Sequence, residues 1–245
     1  MRISIITVTY NSEKDIIPTI ESVLAQKEPD LEYWIIDGNS TDRTVEVAKS
    51  YQSRMEAAGI LYHIISEKDG GIYDAMNKGI RYATGDVIGI LNSEDWYEPY
   101  TIKTVREVFA QTSCSLMFGD IRIFRTDGSV FVKKAKLRKF QTSRDWNHPT
   151  MFVKSKLYKR YPFLNKGIHD DYGFFLKMRK MNQKVVVVNR VLANFKMGGV
   201  SNRKGFRAAR QRITDRYQYC YLANGYSKWY LVECILIEAV KFLIG

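Results

Sequence analysis

The chain has 245 residues, 45% of them hydrophobic, which is enough for one α/β domain with a substantial buried core and excludes a disordered chain. Its formal charge of +12, from 38 basic and 26 acidic side chains, requires an anionic partner: a phosphate-bearing substrate, an anionic membrane surface or nucleic acid. Cys114, Cys220 and Cys234 are scattered without C-x-x-C spacing, so neither a zinc site nor a disulfide framework is indicated, and a reducing cytoplasm fits.

The opening segment MRISIITVTYN runs directly into a strand and lacks the small-residue cleavage site of a secretory signal, which predicts a protein that is not exported. The apolar runs Ile3–Thr9, Tyr33–Asp37, Leu61–Ser66 and Val87–Leu91 predict buried strands. Between them Asp15–Gln26, Thr44–Met55 and Tyr73–Tyr82 carry apolar residues at helical spacing. Strand and helix in alternation imply a parallel sheet covered on both faces, with ligands at the carboxyl ends of the strands. Beyond Pro99 the pattern changes to a helix (Thr101–Thr112), a strand ending at Gly119-Asp120 and a hairpin around Thr126-Asp127-Gly128-Ser129. A basic stretch follows, then a short strand after His148-Pro149, a helix from about Tyr172 to Met181, the strand Val185–Val188 and two C-terminal helices. Nothing resembling a linker or repeat divides these parts, so the reading is one domain with a helical tail.

Each strand of the first half ends in a polar loop: Thr9-Tyr10-Asn11-Ser12, Asp37-Gly38-Asn39-Ser40, Glu67-Lys68-Asp69-Gly70-Gly71 and Asn92-Ser93-Glu94-Asp95. Four such loops on one edge make a site. Part of their polarity is structural, since Ser12 with Asp15, and Ser40 or Thr41, are candidate helix N-caps. Residues 7–11 can offer backbone groups to a nucleoside base, and Asp37 can accept from a ring N–H or a ribose hydroxyl or simply belong to a turn. The first loop lacks G-x-G-x-x-G, which removes the main support for a dinucleotide site. Glu94 and Asp95, directly after a buried strand, suit Mg2+ or Mn2+, which takes one or two protein oxygens and fills its other positions from phosphate and water. Asp170 and Asp171 precede a helix, where one can cap the N-terminus and one can serve as a general base.

Taken together, the segments SIITVTYNSEKDI, TIESVLAQ, WIIDGNSTDRT and EKDGGIYDAMNKGIRYATGDVIGILNSEDWYEP resemble glycosyltransferase family 2, most densely from Ser4 to Pro99. The resemblance implies the inverting GT-A fold, a Rossmann-like mixed sheet flanked by helices, with a donor half at 1–99, an acceptor half at 100–200 and basic amphipathic helices at 201–245. It implies transfer of a hexosyl or N-acetylhexosaminyl group from a UDP-sugar to a hydroxyl of a glycan or a lipid-diphosphate-linked saccharide. The setting implied is cell-surface polysaccharide synthesis, such as O-antigen, capsule or exopolysaccharide. Thr7, Thr9, Tyr10, Asn11, Asp37 and Asn39 would then border the nucleoside. Asp69, Gly71, Asp74 and Lys78 would border ribose, diphosphate or sugar, and Asn92, Ser93 and Glu94 would complete the donor site. Asp95 with Glu94 would hold Mn2+ or Mg2+. Trp146 and His148 are expected on the acceptor side, Asp171 as the base and Asp170 as its possible substitute, with Gly198-Gly199-Val200-Ser201 as a loop over the diphosphate. Two positions depart from the family pattern: Asn92 stands where an aspartate is usual, and Gly173 where an acidic residue is frequent.

The rival enzyme reading, a sugar nucleotidyltransferase, needs a glycine-rich basic loop after the first strand, and TVTYNSEK is not one. The non-enzyme reading, a basic nucleic-acid-binding module, has no recognition-helix or RNA-binding signature to support it. In the tail, Val232, Leu236, Ala239, Val240 and Leu243 share one helical face, and Glu233, Glu238 and Lys241 share another. Basic residues precede this helix (Lys196, Arg203, Lys204, Arg207, Arg210, Arg212 and Arg216), with tyrosines and Trp229 between. The helix is too short and too polar to span a bilayer, so it lies either on the inner face of the membrane or against the domain or a second subunit.

Overall fold

The computed structural model describes residues 1–198 and 205–244. The expected Gly198–Ser201 loop, from Gly199 onward, lies outside the described residues, as do Arg203 and Lys204. Four strands, β1 (Ile3–Thr9), β2 (Leu31–Asp37), β3 (Leu61–Ser66) and β4 (Val87–Ile90), pair in parallel in the order β3-β2-β1-β4. The sheet continues from β4 into antiparallel β8 (Phe152–Lys154), then β6 (Leu116–Phe124), β9 (Val185–Lys196) and the two-residue β5 (Trp96–Tyr97). A last strand, β7 (Val130–Lys133), pairs with the outer part of β6.

Both faces of β1, β2 and β4 are dry because these strands are apolar on both sides, whereas β3, expected as a buried strand, lies at the edge of the sheet and is only partly covered. Ile6, Val8, Ile36, Ile88 and Ile90 face one core, shared with α4 (Ile72–Tyr82), α6 (Ser155–Arg160) and α7 (Asp170–Lys180). Ile3, Ile5, Tyr33, Ile35 and Val87 face the other, shared with α1 (Ile16–Leu24), α2 (Thr44–Ser50), α3 (Gln52–Ala57) and α5 (Thr101–Gln111). The period-2 alternation of side chains divides one strand between two cores. Gly79 lets α4 approach the sheet, since a β-carbon there would meet the side chains of Ile6 and Ile36.

The expected helix Thr44–Met55 is two helices that break at Tyr51. β6 and β9 run well past their expected ends, because β9 carries Asn189 and Arg190 out of register where Gly119 gives way to Asp120 and then pairs in parallel again to Lys196. Asp120 sits at that irregularity, fully buried, and accepts from Lys134 Nζ and the Ala135 backbone at 2.8 Å each. The tail comprises α8 (Phe206–Asp215), a π-helical turn over Arg216–Tyr221 and α9 (Tyr230–Ile244). Glu238 of α9 is buried, and its carboxylate meets Arg212 at 2.7 Å and Arg216 at 3.4 Å.

Candidate active site

The four polar loops do converge on the carboxyl edge of β1, β2, β3 and β4, and they are laced together by side chains. Asn11, at φ 49°, accepts from the Thr41 backbone at 2.8 Å, and its own N–H donates to Ser40 Oγ at 2.8 Å. Ser12 N–H donates to Thr44 Oγ1 and Glu13 N–H to Asp42, at 2.7 and 3.1 Å. Ser93 Oγ ties the loop after β4 to Ser12 Oγ at 3.2 Å. The expected caps are corrected here: Ser40 Oγ is spent on Asp37 and Ser12 Oγ on Tyr10, while Asp42 receives the Thr44 N–H at 3.0 Å.

Asp37 is buried and accepts from the Ser40 backbone at 2.9 Å, from Ser66 Oγ at 2.6 Å and from Ser40 Oγ. Its carboxylate is thus held rigidly at the end of β2. Gly38 follows it, and a β-carbon there would lie 2.7 Å from Asp69 Oδ2 and 3.4 Å from the Tyr10 ring. Tyr10, 60% exposed, and Asp69 therefore flank one gap above Gly38, with Asn39 exposed beside it at φ 67°. Thr7 differs from this group, since it is fully buried with its hydroxyl 3.0 Å from Tyr33 Oη, and its side chain supports the sheet from within. Thr9 Oγ1, by contrast, is buried without a hydrogen-bond partner among the described residues.

The Glu67–Gly71 loop is fixed by its own carboxylates, Asp69 receiving the Gly71 N–H and Asp74 the Gly70 N–H, at 2.9 Å each. Lys78 is buried; its ammonium lies 2.9 Å from Glu67 and donates to the Lys68 carbonyl at 2.8 Å, so it braces this loop from below.

Asp95 follows β4 in the same rim, 2% exposed. Burial pushes its carboxyl well above the ordinary carboxylate value; the Lys196 N–H, 3.3 Å away, opposes this and the charge of Glu94 adds to it. Asn92 Oδ1 is a buried oxygen without a hydrogen-bond partner among the described residues. Among the described residues no three His, Cys, Asp or Glu side chains gather as a metal cage. A single buried carboxylate at the strand ends, beside the Asn92 oxygen, nevertheless fits an ion that takes one or two protein oxygens and completes its shell from elsewhere.

Across the rim, α7 begins with the aspartate pair, and the structure separates the two. Asp170 is turned back on its own loop, accepting the Lys166 N–H at 2.8 Å and the Gly167 N–H at 3.2 Å. The expectation of Asp170 as a substitute base is corrected by this geometry, because both oxygens are occupied by backbone. Asp171 accepts from Tyr73 Oη at 3.0 Å, and its Oδ2 stands 3.1 Å from His148 Nδ1. Burial pulls the imidazole of His148 below its usual value, partly offset by Asp171. Trp146 is corrected as well: it is 6% exposed, stacked on Phe175 with centroids 5.8 Å apart and edge-on to His148, so it backs the histidine instead of lining an open surface.

Sequence reasoning missed Tyr73, which carries the hydrogen bond from α4 to Asp171, and Lys196, whose backbone meets Asp95 and whose ammonium lies 2.6 Å from Asp15. Tyr73 reads as one more apolar residue of a helical stripe, and Lys196 falls beyond the point where the β9 apolar run stops. Only the tertiary fold brings them in.

A family model described as glycosyl transferase family 2 matches residues 4–186. The chain belongs to that family. This family-2 member is 30% identical over 127 residues to TuaG of Bacillus subtilis (strain 168), whose name assigns it to teichuronic acid biosynthesis; the match covers 52% of the chain. It is 26% identical over 227 residues to the hyaluronan synthase of Pasteurella multocida, covering 86% of the chain. The chain spans about half the length of TuaG (49%) and 23% of the synthase. Among solved structures, S. aureus TarS 1-349 in complex with UDP-GlcNAc superposes with a TM-score of 0.68 at 18% identity, covering 99% of this chain and 73% of that one. The mannosyltransferase PcManGT from Pyrobaculum calidifontis, in complex with GDP-Man and Mn2+, gives 0.69 at 16% identity, covering 99% and 74%. These likenesses establish the GT-A fold.

Proposed function

We propose that the protein transfers a sugar from a nucleoside diphosphate donor, with UDP as the nucleotide, to a hydroxyl of a glycan or lipid-diphosphate-linked saccharide in cell-surface polysaccharide synthesis, working at the cytoplasmic face of the membrane. The observation that carries this reading is the pairing of two unlike carboxylates across one rim: buried Asp95 at the strand ends, and Asp171 on α7, held by Tyr73 beside His148. Residues 1–99 would hold the donor and 100–200 the acceptor. Tyr10, Asn11, Asp37, Asn39 and the Thr9 hydroxyl, which has no partner among the described residues, would enclose the nucleoside. Asp69, Gly71 and Asp74 would face the ribose and sugar, while Lys78 keeps their loop in place. Asp95, with Glu94 and the neutral oxygen of Asn92, would hold Mn2+ or Mg2+, which when bound offsets charge on the departing diphosphate.

Asp171 would take the proton of the acceptor hydroxyl as its oxygen attacks the anomeric carbon from the face opposite the diphosphate, inverting configuration. Tyr73 and His148 would fix the carboxylate for that transfer, one hydrogen bond from the donor side and one contact from the acceptor side. The test is release of nucleoside diphosphate from a panel of UDP-, GDP- and dTDP-sugars with Mn2+ and oligosaccharide or lipid-linked acceptors. UDP release that falls roughly a thousandfold in Asp171→Asn, with UDP affinity retained, is expected. Release unaffected by that substitution would remove Asp171 from the chemistry.

A further inference from the structure

An amphipathic helix packed on its own domain in water would turn its apolar stripe inward and its charges outward. The structure has it turned the other way. Glu238 points into the protein against Arg212 and Arg216, while Val232 (49%), Leu236 (58%) and the preceding Trp229 (82%) are exposed. With Glu238 paired inside, Trp229, Val232 and Leu236 are left together as an outward apolar face that suits a less polar neighbour than water.

A second element shares that neighbourhood. The loop after β7 reads Lys136-Leu137-Arg138-Lys139-Phe140, with Leu137 45% and Phe140 72% exposed. Thr142 and Arg144 then form one wall of a groove of about 550 Å³, whose other wall is Trp229, Val232 and Leu236. Exposed cations surround these apolar groups: Lys136, Lys139 and Arg144 on the loop and Lys228 before the helix. Glu233 is the groove's acidic member, and burial pushes its carboxyl upward, toward the neutral form.

We infer that the loop at 136–144 and the outward face of α9 form one docking surface for an anionic phospholipid bilayer. Apolar side chains set among lysines and arginines match an interface in which acyl chains lie just beneath phosphate headgroups, and the chain's +12 charge adds long-range attraction to such a surface. The same loop reaches the acceptor side, since Tyr172, next to Asp171, donates from its hydroxyl to the Gln141 carbonyl at 3.3 Å. Docking there would hold the base close to a bilayer, and in this respect the inference rests on the proposed lipid-linked acceptor.

The experiment is flotation of the full chain with vesicles of phosphatidylglycerol and phosphatidylcholine in equal parts and with vesicles of phosphatidylcholine alone, at low and high salt. Wild type should float with the anionic vesicles and not with the neutral ones, lose this at high salt, and shift its tryptophan emission to the blue on binding. The variant Trp229→Ser/Leu236→Ser and, separately, Phe140→Ser should each lower the partition coefficient roughly tenfold, with circular dichroism and UDP affinity unchanged. Wild type that stays in solution with anionic vesicles, or variants that float equally well, would overturn the inference. So would a dimer seen by sedimentation velocity without lipid and lost in Trp229→Ser/Leu236→Ser, which would give the face to a second copy of the chain. UDP binding is read separately in every sample, so failure of docking and failure of the donor assignment are distinguishable.

Discussion

Asp170 and Asp171 are neighbours in sequence, yet one holds its own loop and the other meets Tyr73 and His148. A helix start offers both tasks, and residue type alone does not say which carboxylate turns back; the backbone N–H groups of Lys166 and Gly167 decide it. Asp170→Ala leaves those two donors without their acceptor and should cost about 1–3 kcal/mol of stability, with UDP affinity of the folded protein retained, as read by thermal denaturation and calorimetry. His148 supplies a pH signature. Its folded value lies below the ordinary 6.5, so the unfolded chain binds the proton more readily, and the stability it contributes is present above about 6.5 and lost as pH falls through the lowered value. The stability difference between wild type and His148→Gln should therefore shrink from pH 7.5 to pH 5.5 in parallel melts, and a difference that grows would contradict a buried neutral imidazole.

Among the elements, the four parallel strands and their loops were legible in the sequence, because each apolar run ends where a polar loop begins, although β3 takes the partly exposed edge of the sheet and is not the buried strand its run suggests. The later strands were legible only in part. β9 loses its apolar run at Asn189 and Arg190, yet the backbone pairs onward to Lys196, and no periodicity reports a register shift. Trp146 shows the opposite failure, since an aromatic beside a site histidine reads as a ligand contact when packing has already claimed it. The tail has its own ionic anchor: Arg212 and Arg216 converge on Glu238, with side chains 7%, 2% and 3% exposed. Removing the shared carboxylate leaves two buried cations, so Glu238→Ala should lower stability by about 3–5 kcal/mol in denaturant titration. A loss below 1 kcal/mol would show that the pair carries little of the attachment of α9.

For the whole molecule, the mixed sheet does what its topology requires: parallel strands gather one set of loops at one edge, and the antiparallel additions bring α7 and the tail to the facing side. The Tyr73 to Asp171 hydrogen bond joins the two halves directly. No helix among the described residues is long and apolar enough to cross a membrane. The proposed transfer depends on the donor edge. The most direct test is calorimetric titration with UDP in Mn2+, repeated with EDTA and with Asp95→Ala. Binding that requires the metal and weakens at least tenfold in the variant is the predicted result; silence toward UDP, GDP and dTDP alike would contradict it.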